Sequence, residues 1–245
     1  MRNIKLVIAY DGTDYKGWQI QTAGPTIQGV IEDKLGMILN QKTRVIGSGR
    51  TDAGVHALNQ VAHFMTHSKI ELESLKRGLN SLLPPDIVVK GLVEADADFH
   101  ARYSAKSRIY KYLVWRGDVF SPFYKRFSLQ VRHQLDLEGM RKAAECLVGF
   151  HDFASFQGTG SASRTSEREM MTFAIRGRAR GWMVTTIEAS AFLRHMVRNI
   201  MGTLIEVGKG RMTVGEFRDI FESKDRRRAG MTAPPQGLFL SRVKY

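Results

Sequence analysis

The chain has 245 residues, of which 43% are hydrophobic, which excludes a disordered chain and suits one large domain or two small ones. The chain has 37 lysine and arginine residues and 24 aspartate and glutamate residues, which gives a net charge of +13. This charge predicts a polyanionic partner such as nucleic acid; the alternative is that it only aids solubility. No signal peptide or membrane-length apolar run is visible and the single cysteine, Cys146, cannot form an internal disulfide, so we expect a cytoplasmic protein that does not enter a membrane.

The first half of the chain is predicted to alternate strands and helices. In chain order we expect a strand at 3–10, a helix at 26–40, strands at 43–49 and 58–66, a helix at 72–83 and a strand at 86–95. The second helix must end at the pair of prolines that follows it. The order β-α-β-β-α-β is that of the ferredoxin-like split unit.

The second half repeats this architecture with one added helix. We expect a strand at 107–117, a helix from the cap Asp136 to Gly149, strands at 168–178 and 181–189, a strong helix with apolar residues from Phe192 to Ile205, a short helix at 213–222 and a strand at 237–243. The predicted fold class is α+β, with two ferredoxin-like, RRM-like halves at 1–104 and 105–245. They should pack side by side with a central catalytic cleft between them.

The segment GSGRTDAGVHA at 47–57 concentrates glycine around one carboxylate, that of Asp52. Arg50 lies two residues earlier, so in an extended chain both side chains emerge on one side, and the cation would keep the carboxylate ionised. An ionised carboxylate can act as nucleophile or general base. The alternative is an ordinary turn, and a phosphate-cradling loop is a weaker third option because no Walker lysine follows.

The segment YDGTDYKGWQ at 10–19 follows the first strand and mixes aromatic, basic and polar residues. Such a mixture suits an exposed surface that stacks on bases and contacts phosphates. A structured turn that packs Trp18 on the core is equally consistent with the pattern.

Other candidate residues lie in the second half. The strand RIYKY places Tyr110 on one face with Arg108 and Tyr112, either to stack on bases or as half-buried sheet residues. Arg194 and Arg198 lie one turn apart on the strong helix, beside its apolar stripe. Two further basic features are Arg164, after the polar run at 158–163, and the generic basic run at 224–228. The histidines His56, His63 and His67 have no carboxylate or cysteine that completes a metal site.

Several of these segments together resemble the tRNA pseudouridine synthase A (TruA) family. GRTDAGVHA at 49–57 is similar to the family signature and YDGTDYKGWQ to its N-terminal motif. The remaining blocks follow in the family's order: RIYKY at 108–112, HDFASF at 151–156, SRT at 163–165, HMVRNIMG at 195–202 and PPQGLFL at 234–240. The resemblance runs essentially end to end. Asn59 stands where the family often has glycine, and segments 118–134 and 157–163 match nothing in the pattern.

The resemblance implies isomerisation of uridine to pseudouridine at positions 38, 39 and 40 of the tRNA anticodon stem-loop, by a cytoplasmic homodimer without metal or cofactor. It implies that Asp52 is the nucleophile, that Tyr110 stacks on the target base and that Arg198 pairs with the aspartate. It assigns RNA binding and base extrusion to Arg50, and a place at the cleft to Arg164. On this view the glycines around Asp52 let the backbone crowd against a flipped nucleotide.

Two other functions fit parts of the sequence. A non-catalytic RNA-binding protein would explain the charge, but LNQVAHFMT at 58–66 lacks the aromatic RNA-binding pattern of an RRM strand, and Asp52 would have no role. An aspartate-nucleophile phosphotransferase would need metal ligands near Asp52, and no convincing set is present. The sequence leaves open whether Asp52 attacks ribose C1′ or uracil C6.

Overall fold

The computed structural model describes residues 1–160, 163–177 and 180–245. In chain order its elements are β1 (Arg2–Tyr10), α1 (Ile27–Leu39), β2 (Ile46–Gly47), β3 (His56–Thr66), α2 (Leu72–Leu82), β4 (Ile87–Ala95), β5 (Ser107–Arg116), α3 (Pro122–Lys125), β6 (Leu129–Val131), α4 (Leu137–Ala144), β7 (Gly149–Asp152), β8 (Glu167–Gly177), β9 (Gly181–Ala189), α5 (Met196–Gly208), α6 (Val214–Glu222) and β10 (Leu238–Lys244). The fold is mixed α+β, as predicted, and the chain divides into two compact units: unit 1 comprises Met1–Lys106 with Phe239–Tyr245, and unit 2 comprises Ser107–Leu238.

Unit 1 is a sheet with strand order β4-β1-β3-β10, with β2 paired to β3. β1 runs antiparallel to both neighbours, whereas β10 runs parallel to β3. Alternate residues of β1, namely Ile4, Leu6 and Ile8, are fully buried, as expected for a strand with one covered face. The two helices α1 and α2 contact each other and bury their own apolar stripes, so the predicted β-α-β-β-α-β order of this half is confirmed.

Unit 2 contains the antiparallel strands β5-β9-β8-β7, in that order, with β6 parallel to β5. Three helices, α4, α5 and α6, contact one another beside them. Most of α5 is buried, including Ile200, Met201 and Leu204, because this helix is apolar around much of its circumference. Asp136 caps α4 as predicted, accepting from the backbone N–H groups of Glu138 and Gly139.

Four details differ from the prediction. The strong helix begins at Met196 rather than near Phe192, because His195 adopts a left-handed backbone conformation with φ of 59°, and Arg194 therefore lies outside it. Helix α4 ends at Ala144 and a 3-10 turn carries the chain to Leu147, short of Gly149. The strand expected to close the second half, β10, runs parallel to β3 and belongs to unit 1 from Phe239 onwards.

The fourth detail is that the short elements α3, β6 and β7 were not predicted, because three or four residues show no period. The predicted end of the strand at 168–178, and part of segment 157–163, fall on residues outside those described. Within the described ranges, no helix combines the length and apolar content needed to cross a bilayer.

His63 of β3 is buried in unit 1. Its Nδ1 accepts a hydrogen bond of 3.1 Å from the backbone N–H of Ala101, and its ring centroid lies 4.8 Å from that of His100. Burial, reinforced by the positive charge that His100 can carry, lowers the pKa of His63. The folded protein therefore keeps this imidazole neutral at a pH where an exposed histidine is protonated.

We expect His63 to reduce folding stability as the pH falls below about 6.5. Above that pH the imidazole is neutral in both states and contributes nothing to the pH dependence; below it the unfolded chain binds a proton that the folded chain does not. Urea unfolding at about pH 7.5 and about pH 5.5 measures the effect, with His63→Gln as the variant because its amide oxygen can still accept from Ala101. The wild type should lose more stability between the two pH values than His63→Gln, and equal losses would contradict the assignment.

Candidate active site

The segment around Asp52 and the segment at 10–19 form one structure within unit 1. We call residues 10–19 the N-terminal turn and residues 48–55 the aspartate loop. The backbone N–H of Trp18 donates to the carbonyl oxygen of Thr51 at 3.1 Å, and the hydroxyl groups of Tyr10 and Thr51 share a hydrogen bond of 2.9 Å. The N–H of Gly54 donates to the carbonyl of Tyr15 at 3.4 Å. The residue directly before Asp52 is thus held through both its backbone and its side chain.

Glycines allow these two segments to approach so closely. A Cβ on Gly12 would lie 2.0 Å from the carbonyl oxygen of Val55, and one on Gly47 would lie 2.6 Å from the Trp18 ring. Gly54 has a φ of 76°, which L side chains rarely adopt. Gly47 is therefore required by packing and Gly54 by its backbone conformation. This corrects the expectation that all the glycines around Asp52 admit a nucleotide.

The other side of the aspartate loop is anchored to β3 through Gln60. The Ser48 hydroxyl donates to Oε1 of Gln60 at 2.7 Å, and Nε2 of Gln60 donates to the carbonyl of Gly49 at 2.9 Å. The backbone N–H of Ser48 also donates to the Val61 carbonyl at 2.7 Å. Asp52, which is half-buried, thus lies between two fixed points of backbone. The loop that carries its carboxylate is therefore already ordered in the folded protein.

The aromatic residues of the N-terminal turn are buried: Tyr10, Tyr15 and Trp18 are each less than a tenth exposed. Burial raises the pKa of Tyr10, so its hydroxyl stays protonated and keeps its bond to Thr51. Of the two interpretations left open for this segment, the structure supports the turn that packs on the core. Its aromatic rings support the aspartate loop and do not form an exposed stacking surface.

The histidines considered as metal ligands lie in separate clusters. His56 is buried, its ring stacks on Phe239 at 4.7 Å, and its Nδ1 accepts from the N–H of Gly12 at 3.1 Å. His63 lies instead against Phe99 and His100. Among the described residues, no three His, Cys, Asp or Glu side chains are placed to hold one metal ion.

Arg50 and Arg164 are both exposed on loops. Arg50 lies in the aspartate loop, and Arg164 lies just before β8. In the described part of the chain neither side chain forms a hydrogen bond or ion pair. Two guanidinium groups with all their donors open to solvent are suited to contacts with an anionic ligand.

Tyr110 lies in β5, opposite Ile187 of β9, on the same face as Tyr112. It is 7% exposed, and the ring of Phe192 meets it edge-on at a centroid distance of 4.9 Å. Tyr112 is fully buried and donates from its hydroxyl to the Pro234 carbonyl at 2.7 Å, so it supports the fold of unit 2. The two tyrosines therefore share a face of the strand but differ in their surroundings.

Arg198, on α5, is positioned by the segment that precedes β10. Its Nε donates to the Ala233 carbonyl at 2.8 Å, and the N–H of Ala233 returns a bond of 3.0 Å to the Arg198 carbonyl. Gly202, one turn further along α5, leaves room for this segment, since a Cβ there would lie 1.7 Å from the Met231 carbonyl oxygen. The guanidinium is therefore held through Nε by one backbone carbonyl of unit 2, that of Ala233.

The residue that sequence reasoning missed is Asn199. Its Oδ1 accepts from Arg226 at 3.0 Å and from the Thr232 hydroxyl at 2.6 Å, and its Nδ2 donates to the Phe156 carbonyl at 2.8 Å. Arg226 thus has an internal role and is not part of a free basic patch, and Arg227 pairs with Asp225 at 2.7 Å. The signal that could have revealed this network was an asparagine within the predicted strong helix, and its side chain is fully buried in the structure.

A family model described as tRNA pseudouridine synthase matches residues 6–104 and 143–245. This range contains Asp52, Arg50, Arg164 and Arg198, while Tyr110 lies between its two parts. The chain belongs to the tRNA pseudouridine synthase family.

Two curated relatives extend the likeness to the full chain, and both are called tRNA pseudouridine synthase A. The protein of Acetivibrio thermocellus is 44% identical over 245 residues, covering 100% of both chains. That of Syntrophotalea carbinolica is 44% identical over 245 residues, covering 100% of this chain and 97% of its own. Among solved structures, a Cbf5-Nop10-Gar1 complex matches with a TM-score of 0.38 and 16% identity, over 97% of this chain and 48% of that one. Likeness at that level carries no argument about function.

The packing of the two segments predicts opposite effects of the same substitution at two glycines. Gly12→Ala should destabilise the protein by roughly 1–3 kcal/mol or more, because its methyl group meets a backbone oxygen that cannot move aside. Gly49→Ala should be neutral or stabilising by up to about 1 kcal/mol, because a Cβ there meets no atom of the described chain within 4 Å. Urea unfolding of both variants tests this, and equal losses of stability would show that the close approach at Gly12 is not required.

Proposed function

We propose that the protein isomerises uridine to pseudouridine at positions 38, 39 and 40 of the tRNA anticodon stem-loop, with Asp52 as the nucleophile. The observation that carries the proposal is the fixed aspartate loop, held at Thr51 by the N-terminal turn and at Ser48 and Gly49 by Gln60. Membership of the family and relatives that are named for this activity support the reaction. A carboxylate held in one place needs no further ordering before it attacks.

The reaction breaks the bond between uracil N1 and ribose C1′ and forms one between C5 and C1′. The base gains a proton at N1 and loses the proton of C5, so substrate and product are isomers. The uridine must first leave its stack, since no side chain reaches these atoms inside a helix. The carboxylate of Asp52 can then attack C1′ or uracil C6, and either route requires it to be ionised and close to the flipped nucleotide.

Tyr110 is proposed to stack on the target base and retain it while it turns. Its ring already meets an aromatic neighbour, Phe192, edge-on at a centroid distance of 4.9 Å. Aromatic surroundings of this kind favour the binding of a planar base. Retention matters because a detached uracil that diffused away would have to be captured again before C5 could bond to C1′.

The arginines supply positive charge for the tRNA. Arg50 and Arg164, both exposed on loops, are proposed to contact phosphates and to favour extrusion of the base. Arg198 is proposed to act at the site of reaction. Its Nε is fixed to the Ala233 carbonyl at 2.8 Å, and this bond sets the position from which the other guanidinium N–H groups can donate. The resemblance further supports a homodimer in the cytoplasm that needs neither metal nor cofactor.

Asp52→Asn should reduce turnover by about 10³-fold or more, because an amide of the same shape is not a nucleophile. Affinity for tRNA should stay within about 3-fold of the wild type, since binding rests on many basic contacts. Pseudouridine mapping on unmodified tRNA, with metal and cofactor omitted, measures turnover, and filter binding measures affinity. The matched control is Asp33→Asn, which makes the same charge change on the exposed face of α1 and should retain full activity.

Substantial turnover by Asp52→Asn would overturn the nucleophile assignment. Tight tRNA binding by the wild type without any pseudouridine would overturn the proposed function and favour a non-catalytic RNA-binding protein.

Replacing Tyr110 by Phe and by Leu separates the aromatic ring from its hydroxyl. Tyr110→Phe keeps the stacking surface and should retain turnover within about 10-fold. Tyr110→Leu loses stacking that is worth about 1–3 kcal/mol per base, so kcat/KM should fall by roughly 5- to 150-fold beyond Tyr110→Phe. Steady-state kinetics on tRNA, with thermal unfolding to confirm that both variants fold, decide the question, and equal kinetics of the two variants would rule out stacking.

A further inference from the structure

Unit 2 contains a surface pocket of about 630 Å³ at the end of β5, where α4 begins and α5 ends. Three basic side chains line it, those of Arg116, Arg141 and Lys209. Arg116 is the last residue of β5, six positions after Tyr110, which places them roughly 20 Å apart at about 3.3 Å per residue. The pocket is therefore separate from the part of unit 2 that carries the proposed base-stacking tyrosine.

Arg116 is the unusual residue of this pocket. Only 3% of its surface is exposed, yet none of its three side-chain nitrogens has a hydrogen-bond partner in the part of the chain that the structure describes. Burial, and then the charge of Arg141, lowers the pKa of Arg116, but a guanidinium remains charged in proteins. Buried charges are otherwise almost always paired, so five unmatched N–H donors indicate a place for an acceptor.

Among the residues that the structure describes, the neighbours of Arg116 do not supply that acceptor. The one carboxylate that lines the pocket, that of Asp136, caps α4, with Oδ1 accepting from the backbone N–H groups of Glu138 and Gly139 at 3.0 Å each. Arg141 adds a second guanidinium, of which Nε donates to the Ile175 carbonyl at 3.0 Å.

The third cation, Lys209, already pairs with Glu206 at 2.8 Å. Gly177 keeps space beside the guanidinium, because a Cβ at that position would lie 3.2 Å from a terminal nitrogen of Arg116. The pocket thus combines two adjacent guanidinium groups, one of them buried without a partner, with room for a ligand.

We propose that this pocket, the Arg116 pocket, binds a phosphate-class oxyanion through the guanidinium groups of Arg116 and Arg141. A tetrahedral oxyanion accepts two parallel bonds from a guanidinium fork and neutralises two neighbouring positive charges at once. The same chemistry is offered by a backbone phosphate of bound RNA and by free inorganic phosphate. The RNA source rests on the proposed function, whereas binding of inorganic phosphate does not.

The first experiment is thermal unfolding of the full chain in inorganic phosphate or in chloride at equal ionic strength. Phosphate should raise the Tm of the wild type and of Arg218→Met, a control that removes one exposed arginine from α6, and should leave the Tm of Arg116→Met unchanged. Removal of an unpaired buried charge favours folding of Arg116→Met. Arg116→Lys provides a second test, because it keeps the charge without the fork and should respond to phosphate less than the wild type.

The second experiment measures tRNA affinity as a function of salt for the same variants. An RNA source predicts that Arg116→Met weakens binding by about 10-fold and lowers the slope of log K against log salt by about one, while Arg218→Met has a smaller effect. A phosphate effect on Tm with unchanged tRNA binding assigns the pocket to the free anion.

The proposal is overturned if neither phosphate nor tRNA distinguishes Arg116→Met from Arg218→Met. It is also overturned if sedimentation shows that Arg116→Met changes only the oligomeric state, because a partner's carboxylate would then be the acceptor. The phosphate measurement does not depend on pseudouridine formation, so failure of the proposed function would leave this inference standing.

Discussion

The two hydrogen bonds at Thr51 determine how the rest of unit 1 serves the candidate site. They join the N-terminal turn to the aspartate loop, which are about 40 residues apart in the chain, so the two segments are a single structural unit. Gln60 fixes the opposite side of the loop. Folding therefore bears the entropic cost of placing Asp52 before any ligand binds. The interdependence also explains why Gly12 and Tyr10 occur in the turn, since Gly12 lies against the Val55 carbonyl and Tyr10 bonds to the Thr51 side chain.

The regular elements were predictable because their burial follows a period. The strands β1, β5 and β9 and the helix α1 begin and end within about two residues of their predicted limits, since alternating or helically spaced apolar residues reflect one buried face. The start of α5 was not predictable in this way. Leu193 is buried although it precedes the helix, so the apolar pattern continues across the left-handed residue His195 where the helical backbone does not.

Side chains with both an apolar and a polar part were ambiguous from sequence alone. Trp18 suited either base stacking or the core, and Arg226 suited either phosphate or an internal network, because each can satisfy its polar group in either setting. Burial of Arg116 was not predicted, although Arg116 follows Tyr110, Tyr112 and Val114 at every second position on the buried face of β5.

Glycine at position 49 is the remaining part of the loop that internal packing does not explain. Gly47 is needed beside Trp18, and Gly54 by its backbone conformation, whereas a side chain at Gly49 would meet no described atom. That a glycine admits a flipped nucleotide close to the carboxylate therefore stays a prediction for Gly49 alone. Gly49 is held by Gln60 through its carbonyl and directly precedes the exposed Arg50. The fold thus accounts for the position of Asp52, whereas the described chain leaves the space beside Gly49 open.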